Sequence, residues 1–120
     1  MRPHEKLEVY WIAQEFAAFC AHVRPRIQNF SPADAHDLDK SSGSIPNNIC
    51  EAANESSPGD IARFFRYAKR ENGEASGIFT RQKGTGITEV EWRIARHYTD
   101  RIGAALTKLI EYWERRSKED

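Results

Sequence analysis

Leu38-Asp39-Lys40-Ser41-Ser42-Gly43-Ser44-Ile45-Pro46-Asn47-Asn48-Ile49-Cys50-Glu51-Ala52 sets Leu38, Ser42, Ile45, Ile49 and Ala52 four, three, four and three residues apart. On an α-helix that spacing makes one narrow apolar face, the seam of a bundle helix whose partners cross at shallow angles. Pro46 lies inside the seam and offers no amide to the carbonyl of Ser42, so a kink is expected, or a carbonyl satisfied by water or a side chain. Upstream, Asn29-Phe30-Ser31-Pro32 breaks the chain, with Ser31 as N-cap and Pro32 as the first helical residue. Downstream, Asn54-Glu55-Ser56-Ser57 ends the segment, and Ser57-Pro58-Gly59-Asp60 repeats the start signal with Asp60 well placed against the helix dipole. A helix over 32–54 therefore sits between two others.

The preceding segment carries Val9, Ile12, Phe16, Phe19, Cys20, Val23 and Ile27 three or four apart, which predicts a helix over about 5–28 whose last turn Pro25 disturbs. The following one carries Ile61, Phe64, Phe65, Ala68, Ala75, Ile78 and Phe79, a core face over about 58–82. Gly73 and Gly77 each cost this helix about 1 kcal/mol relative to alanine; glycines four apart are expected to let a neighbouring helix come close, with local fraying as the plainer alternative. Lys83-Gly84-Thr85-Gly86 is a turn, and Thr88 with Glu91 forms a capping box that opens a fourth helix over about 88–116. The fold class is thus all-α: an antiparallel up-and-down four-helix bundle, one domain over 1–120, expected to associate with copies of itself. The reason for self-association is aromatic. Tyr10, Trp11, Trp92 and Trp113 add rings beyond what one core seam uses, and they are the candidate oligomer interface.

At 120 residues the chain is long enough for one core. Its 18 basic and 18 acidic side chains cancel, so a strong overall pull toward nucleic acid or an anionic membrane is absent and any such binding must come from a local patch. Cys20 and Cys50 fall among small apolar residues on separate helices, where a free thiol acts as a compact hydrophobe. The N-terminus shows no apolar signal core, and no stretch is apolar for the length of a membrane span, so the cytoplasm is the expected location and no membrane is expected as a partner.

Two stretches carry a likeness. Ser44-Ile45-Pro46-Asn47-Asn48-Ile49-Cys50-Glu51-Ala52 and Asp60-Ile61-Ala62-Arg63-Phe64-Phe65-Arg66-Tyr67-Ala68 resemble the signature of the bacterial four-helix bundle proteins found as reading frames in intervening sequences of large-subunit ribosomal RNA genes. Leu7-Glu8-Val9-Tyr10 and the rhythm of the fourth helix also fit, so the resemblance covers nearly the whole chain. It implies an antiparallel bundle assembled as a homopentamer. It also implies a distant relation to the accessory proteins of diversity-generating retroelements, hence RNA, DNA or a reverse transcriptase as partners. The chain departs from the family where paired arginines usually precede the motif: here Leu38-Asp39-Lys40-Ser41-Ser42-Gly43 stands. The family's glycine after the motif glutamate is Ala52, and its basic turn is Asn54-Glu55-Ser56-Ser57-Pro58-Gly59. The first and last of these changes remove positive charge.

Segment charges locate what basic surface remains. Residues 58–86 hold six basic and three acidic groups, whereas residues 32–57 hold one and five. Arg63, Arg66, Lys69 and Arg70, with Arg81 and Lys83 further on, are therefore the candidate phosphate-contacting surface; the competing reading is a solvated face paired with acids such as Asp34, Asp37, Asp39, Glu51 or Glu55. Ser44, Asn48 and Glu51 line the second helix beside its seam and are expected to hydrogen-bond to the third helix or across a subunit boundary, with Glu51 meeting Arg63. Catalysis has no motif behind it. His4, His22, His36 and His97 are scattered and read as surface residues, Asp37 and Asp39 point in different directions, and Gly84-Thr85-Gly86 lacks the lysine and strand of a phosphate-binding loop. No cofactor, metal or enzymatic activity is expected. Beside the scaffold reading stands an alternative, an accessory subunit of a retroelement reverse transcriptase.

Overall fold

The computed structural model describes residues 1–119: a 3-10 turn at Pro3–Lys6, then α1 (Glu8–Phe30), α2 (Pro32–Asn54), α3 (Pro58–Gln82) and α4 (Glu89–Glu119). Among these residues there is no strand, only an isolated bridge between Lys83 and Ile87. Capping fixes most of the boundaries. The Ser31 hydroxyl accepts from the Asp34 amide at 3.1 Å and the Ser57 hydroxyl from the Asp60 amide at 3.2 Å, each with a proline at the first helical position. At the start of α4, the Glu91 amide donates to the Thr88 hydroxyl at 3.1 Å and the Thr88 amide to the Glu91 carboxylate at 2.8 Å, the reciprocal box that the sequence predicts.

Three expectations need correction. The first helix does not begin at Glu5: Pro3 starts a separate turn, Glu5 accepts from the Arg2 amide at 3.3 Å, and Leu7 is extended (φ −94°, ψ 118°) before α1 starts. Pro25 does not break up the last turns of α1, which stay helical to Phe30; Pro25 and Ala21 are both exposed, so the carbonyl deprived of its donor faces water. Nor do Gly73 and Gly77 admit a neighbouring helix. A Cβ added at Gly73 would meet nothing within 4 Å, and one at Gly77 only the tip of Arg81 at 3.8 Å. Close approach occurs at Gly86, where a Cβ would lie 2.9 Å from Ile27 Cα, and at Gly103, where it would lie 3.4 Å from Asn72 Nδ2.

Cross-helix partners give the topology. Arg24 pairs with Asp39, and His4 just ahead of α1 with Cys50, between the first segment and α2; Arg81 pairs with Asp34 and Ser41 with Glu74 between α2 and α3; Arg66 pairs with Glu114 and Asn72 with Thr99 between α3 and α4. In each case a rising number on one helix meets a falling number on the next, so successive helices are antiparallel and pack into a body of 50 × 24 × 22 Å. All five residues of the α2 seam are buried, and with Phe16, Phe65, Phe79, Ile27, Ile102 and Leu106 they form one continuous core. Burial of each large side chain contributes about 1.5–3 kcal/mol. Polar side chains enter too, Ser41, Ser42, Gln82, Thr99 and Asn72 among them; Asn72 donates to the Thr99 carbonyl at 2.9 Å, an approach for which Gly103 leaves room. The packing is uneven. α1 and α4 approach one another far less closely than the other three neighbouring pairs, leaving a shallow seam along one long face.

Candidate assembly and nucleic-acid surfaces

The basic face of α3 is mostly neutralised. Arg63 reaches Asp60 on its own helix at 3.1 Å, Arg66 reaches Glu114 at 3.0 Å, Arg81 reaches Asp34 at 2.9 Å, and Lys83 lies 3.9 Å from Glu89 and 4.1 Å from the centre of the Trp92 ring. Asp34 is held firmly. The Arg81 guanidinium bound to it outweighs the effect of burial, helped by the Gln82 amide at 2.7 Å, and its carboxyl titrates below the ordinary value. Of the six candidate cations, only Lys69 and Arg70 have no acidic partner among the described residues. Arg70 lies over the half-buried Tyr67 ring, 5.2 Å from its centre, with Arg63 5.9 Å from the same ring. The six cations proposed from sequence thus lie along one helix and its C-terminal turn, but four of them already have carboxylate partners.

Ser44, Asn48 and Glu51 do not reach α3. The Asn48 amide turns back to the Ser44 carbonyl and hydroxyl, both at 2.9 Å, which fastens one turn of α2 to the next. Glu51 is exposed and does not meet Arg63, whose nearer partner is Asp60 one turn away. Sequence spacing placed the three on a common face but could not show that the Asn48 amide would bond within α2 rather than to α3.

The four candidate interface aromatics divide by position. Trp11 donates its indole N–H to the Glu5 carbonyl at 3.0 Å, and Tyr10 packs edge-on against His4 at 4.7 Å, so both hold the N-terminal turn against the bundle. Trp92 and Trp113 are half-buried against the chain's own core, while Trp11 is 49% exposed. His4 corrects the expectation of four surface histidines. It is half-buried, and its Nδ1 lies 3.4 Å from the Cys50 sulfur, a pairing between the N-terminal turn and the last turns of α2 that no local pattern could reveal. Cys20 is buried, and burial pushes its thiol well above the usual range; both cysteines are free thiols. Among the described residues, no three His, Cys, Asp or Glu side chains lie together where a metal could be held, and no helix is long and apolar enough to cross a membrane.

What the sequence reading missed is the seam between α1 and α4. Its α4 wall carries Val90, Ile94 and Tyr98 four apart, and beside them Arg93, His97 and Arg101 four apart; Glu15 lines it from α1. Val90 is 64% exposed and Ile94 40%. Tyr98 packs against the core, but the looser approach of α1 leaves Ile94 outside. At its upper end the seam is bridged by Arg26 and Glu91 at 2.5 Å; further along, Arg101 comes within 3.7 Å of Glu8. No protein-family model matches the chain, and neither does any curated protein or any solved structure.

Proposed function

We propose that this chain is a non-enzymatic scaffold or binding module that works as a homo-oligomer, its copies joined along the α1/α4 seam. The observation that carries the reading is the exposed apolar row of Val90 and Ile94 beside the least closely packed pair of neighbouring helices. In a closed bundle that row would be core. Here Val90 and Ile94 stay exposed, and burying them against another protein surface recovers about 25 cal/mol per Å² of apolar area. The two free thiols suit a reducing compartment such as the cytoplasm. Sedimentation velocity over a concentration series tests the reading. The native chain is expected above its 13.8 kDa monomer mass, and Val90→Asp with Ile94→Asp is expected at that mass with helix content unchanged. A native chain that sediments as a monomer throughout would refute it.

A second reading, an accessory subunit that holds RNA for a reverse transcriptase, is favoured by Lys69 and Arg70, which lack acidic partners, Arg70 lying over the Tyr67 ring. Binding through phosphates would weaken steeply with salt. Replacing both residues with alanine is expected to reduce the slope of log affinity against log salt by about 2, one for each lost phosphate contact. No affinity for RNA at low salt would remove this reading and leave the first intact.

A further inference from the structure

We propose that the end of the bundle where the α2–α3 turn meets the C-terminal part of α4 binds a small organic ammonium ion, an amine cation carried on an apolar group. The site is separate from the α1/α4 seam, is complete within one chain and does not depend on self-association. A cavity of about 350 Å³ opens there, within the ~300–1,000 Å³ usual for small-ligand sites. Its floor is core: Ala52, Ile61 and Phe65 are all buried. The hollow exists because α2 presents only the methyl groups of Ala52 and Ala53 where α3 and α4 bring large side chains. The N-terminal turn closes one side through Pro3 and Leu7. That turn is held in place by the contact of His4 with Cys50 and by the Trp11 indole bond to the Glu5 carbonyl.

Two features select the charge of the ligand. The first is Glu55, which caps the end of α2, lines the cavity and is half-buried. None of the ion pairs among the described residues involves it, so its carboxylate faces the cavity without a cation. The second is an aromatic corner: the Tyr112 and Trp113 rings meet at 90° with their centres 5.0 Å apart, and both line the cavity. Arg116 donates to the Tyr112 hydroxyl at 3.1 Å and lies 5.8 Å from that ring's centre, so one ring of the corner already has a guanidinium beside it. No basic side chain of the described residues lies over Trp113. A carboxylate and an aromatic face both attract positive charge, whereas an anion would meet Glu55. A hard inorganic cation needs several oxygen ligands in exchange for its water, and the apolar floor offers none. An organic ammonium satisfies both halves of the site, its charge toward Glu55 and Trp113 and its apolar group against Ala52 and Phe65.

Calorimetric titration with probes of similar shape and different charge tests this: phenethylammonium, phenethyl alcohol and hydrocinnamate. The native chain is expected to bind the ammonium about tenfold more tightly than the alcohol, within what a cation gains over an aromatic face, and to leave the carboxylate unbound. Glu55→Gln is expected to lower the ammonium affinity about tenfold and leave that for the alcohol unchanged. Ala53→Leu fills the hollow and is expected to abolish binding of both, with circular dichroism confirming the fold of each variant. No saturable binding of the ammonium to the native chain would overturn the site. Equal affinity for the ammonium and the alcohol, or an ammonium affinity unmoved by Glu55→Gln, would overturn the cationic ligand. Ammonium binding that survives in folded Ala53→Leu would overturn its placement in this cavity. Each of these results leaves the sedimentation test of self-association untouched.

Discussion

Alanine at Gly86 would test how tightly the α3–α4 turn sits on α1. Its Cβ would stand 2.6 Å from Gln82 Oε1, 2.9 Å from Ile27 Cα and 3.1 Å from Ile27 Cγ1, all well inside the ~3.5–4.0 Å of a comfortable carbon contact. Neither neighbour yields easily. Gln82 is 6% exposed and would lose its bonds to Asp34 at 2.7 Å and Thr85 at 3.2 Å, while the Ile27 contact involves the backbone of a helix buried at that point. The upper half of the usual overpacking range applies, about 2–3 kcal/mol. For a chain of this size that is a fall in Tm of roughly 8–12 °C. Gly73→Ala supplies the control: nothing lies within 4 Å of its Cβ, and the exposed mid-helix position should gain up to about 1 kcal/mol from helix propensity. Urea titrations at one fixed protein concentration, so that association contributes equally to both, measure the two changes. If Gly86→Ala came within about 0.5 kcal/mol of the native chain, a range ordinary for surface substitutions, or if the two alanines shifted stability alike, the reasoning would fail.

Two further outcomes are expected. In the folded protein a thiol reagent should label Cys50, half-buried beside His4, and spare Cys20, which is 1% exposed with its thiol pushed up by burial; mapping of labelled peptides checks this, and equal rates at both would refute it. Acid should weaken the fold through Asp34. Its pKa is lowered, chiefly by the Arg81 hydrogen bond, so its contribution is present above the ordinary 3.8 and is lost as pH falls through the depressed folded value. Asp34→Asn should remove that limb of the stability profile, and an identical acid profile in the variant would show that Asp34 has no part in it. Glu71 works in the opposite sense: burial and the neighbouring Glu74 raise its pKa, so its protonation on acidification favours the folded state.

Local chemistry made most of the helical order legible. Ser31-Pro32, Ser57-Pro58 and Thr88 with Glu91 are signals whose physics is complete within four residues, and the observed helix starts follow them. The N-terminal turn was less visible because Leu7 continues an apolar pattern while its backbone leaves the helix. The glycines show the limit clearly. Gly73 and Gly77 had the right spacing for close contact, but Gly86 and Gly103 have the contact, because it depends on which residue a distant helix brings opposite. The candidate surfaces follow the same division: periodicity grouped the α3 cations, yet their carboxylate partners come from within α3, from α2 and from α4, and the seam exists only because two helices remote in sequence hold apart.

The thin contact between α1 and α4 also bears on how the chain reaches its fold. Each helix packs mainly on its neighbour in sequence, so nearly all of the core forms by closing short loops, and contacts spanning the whole chain add little. Chains dominated by such local contacts fold quickly. The pairing of the first helix with the last can then form late, or open transiently, without dissolving the three hairpins between them. That would leave the exposed face of Val90 and Ile94 accessible while the rest of the molecule stays intact.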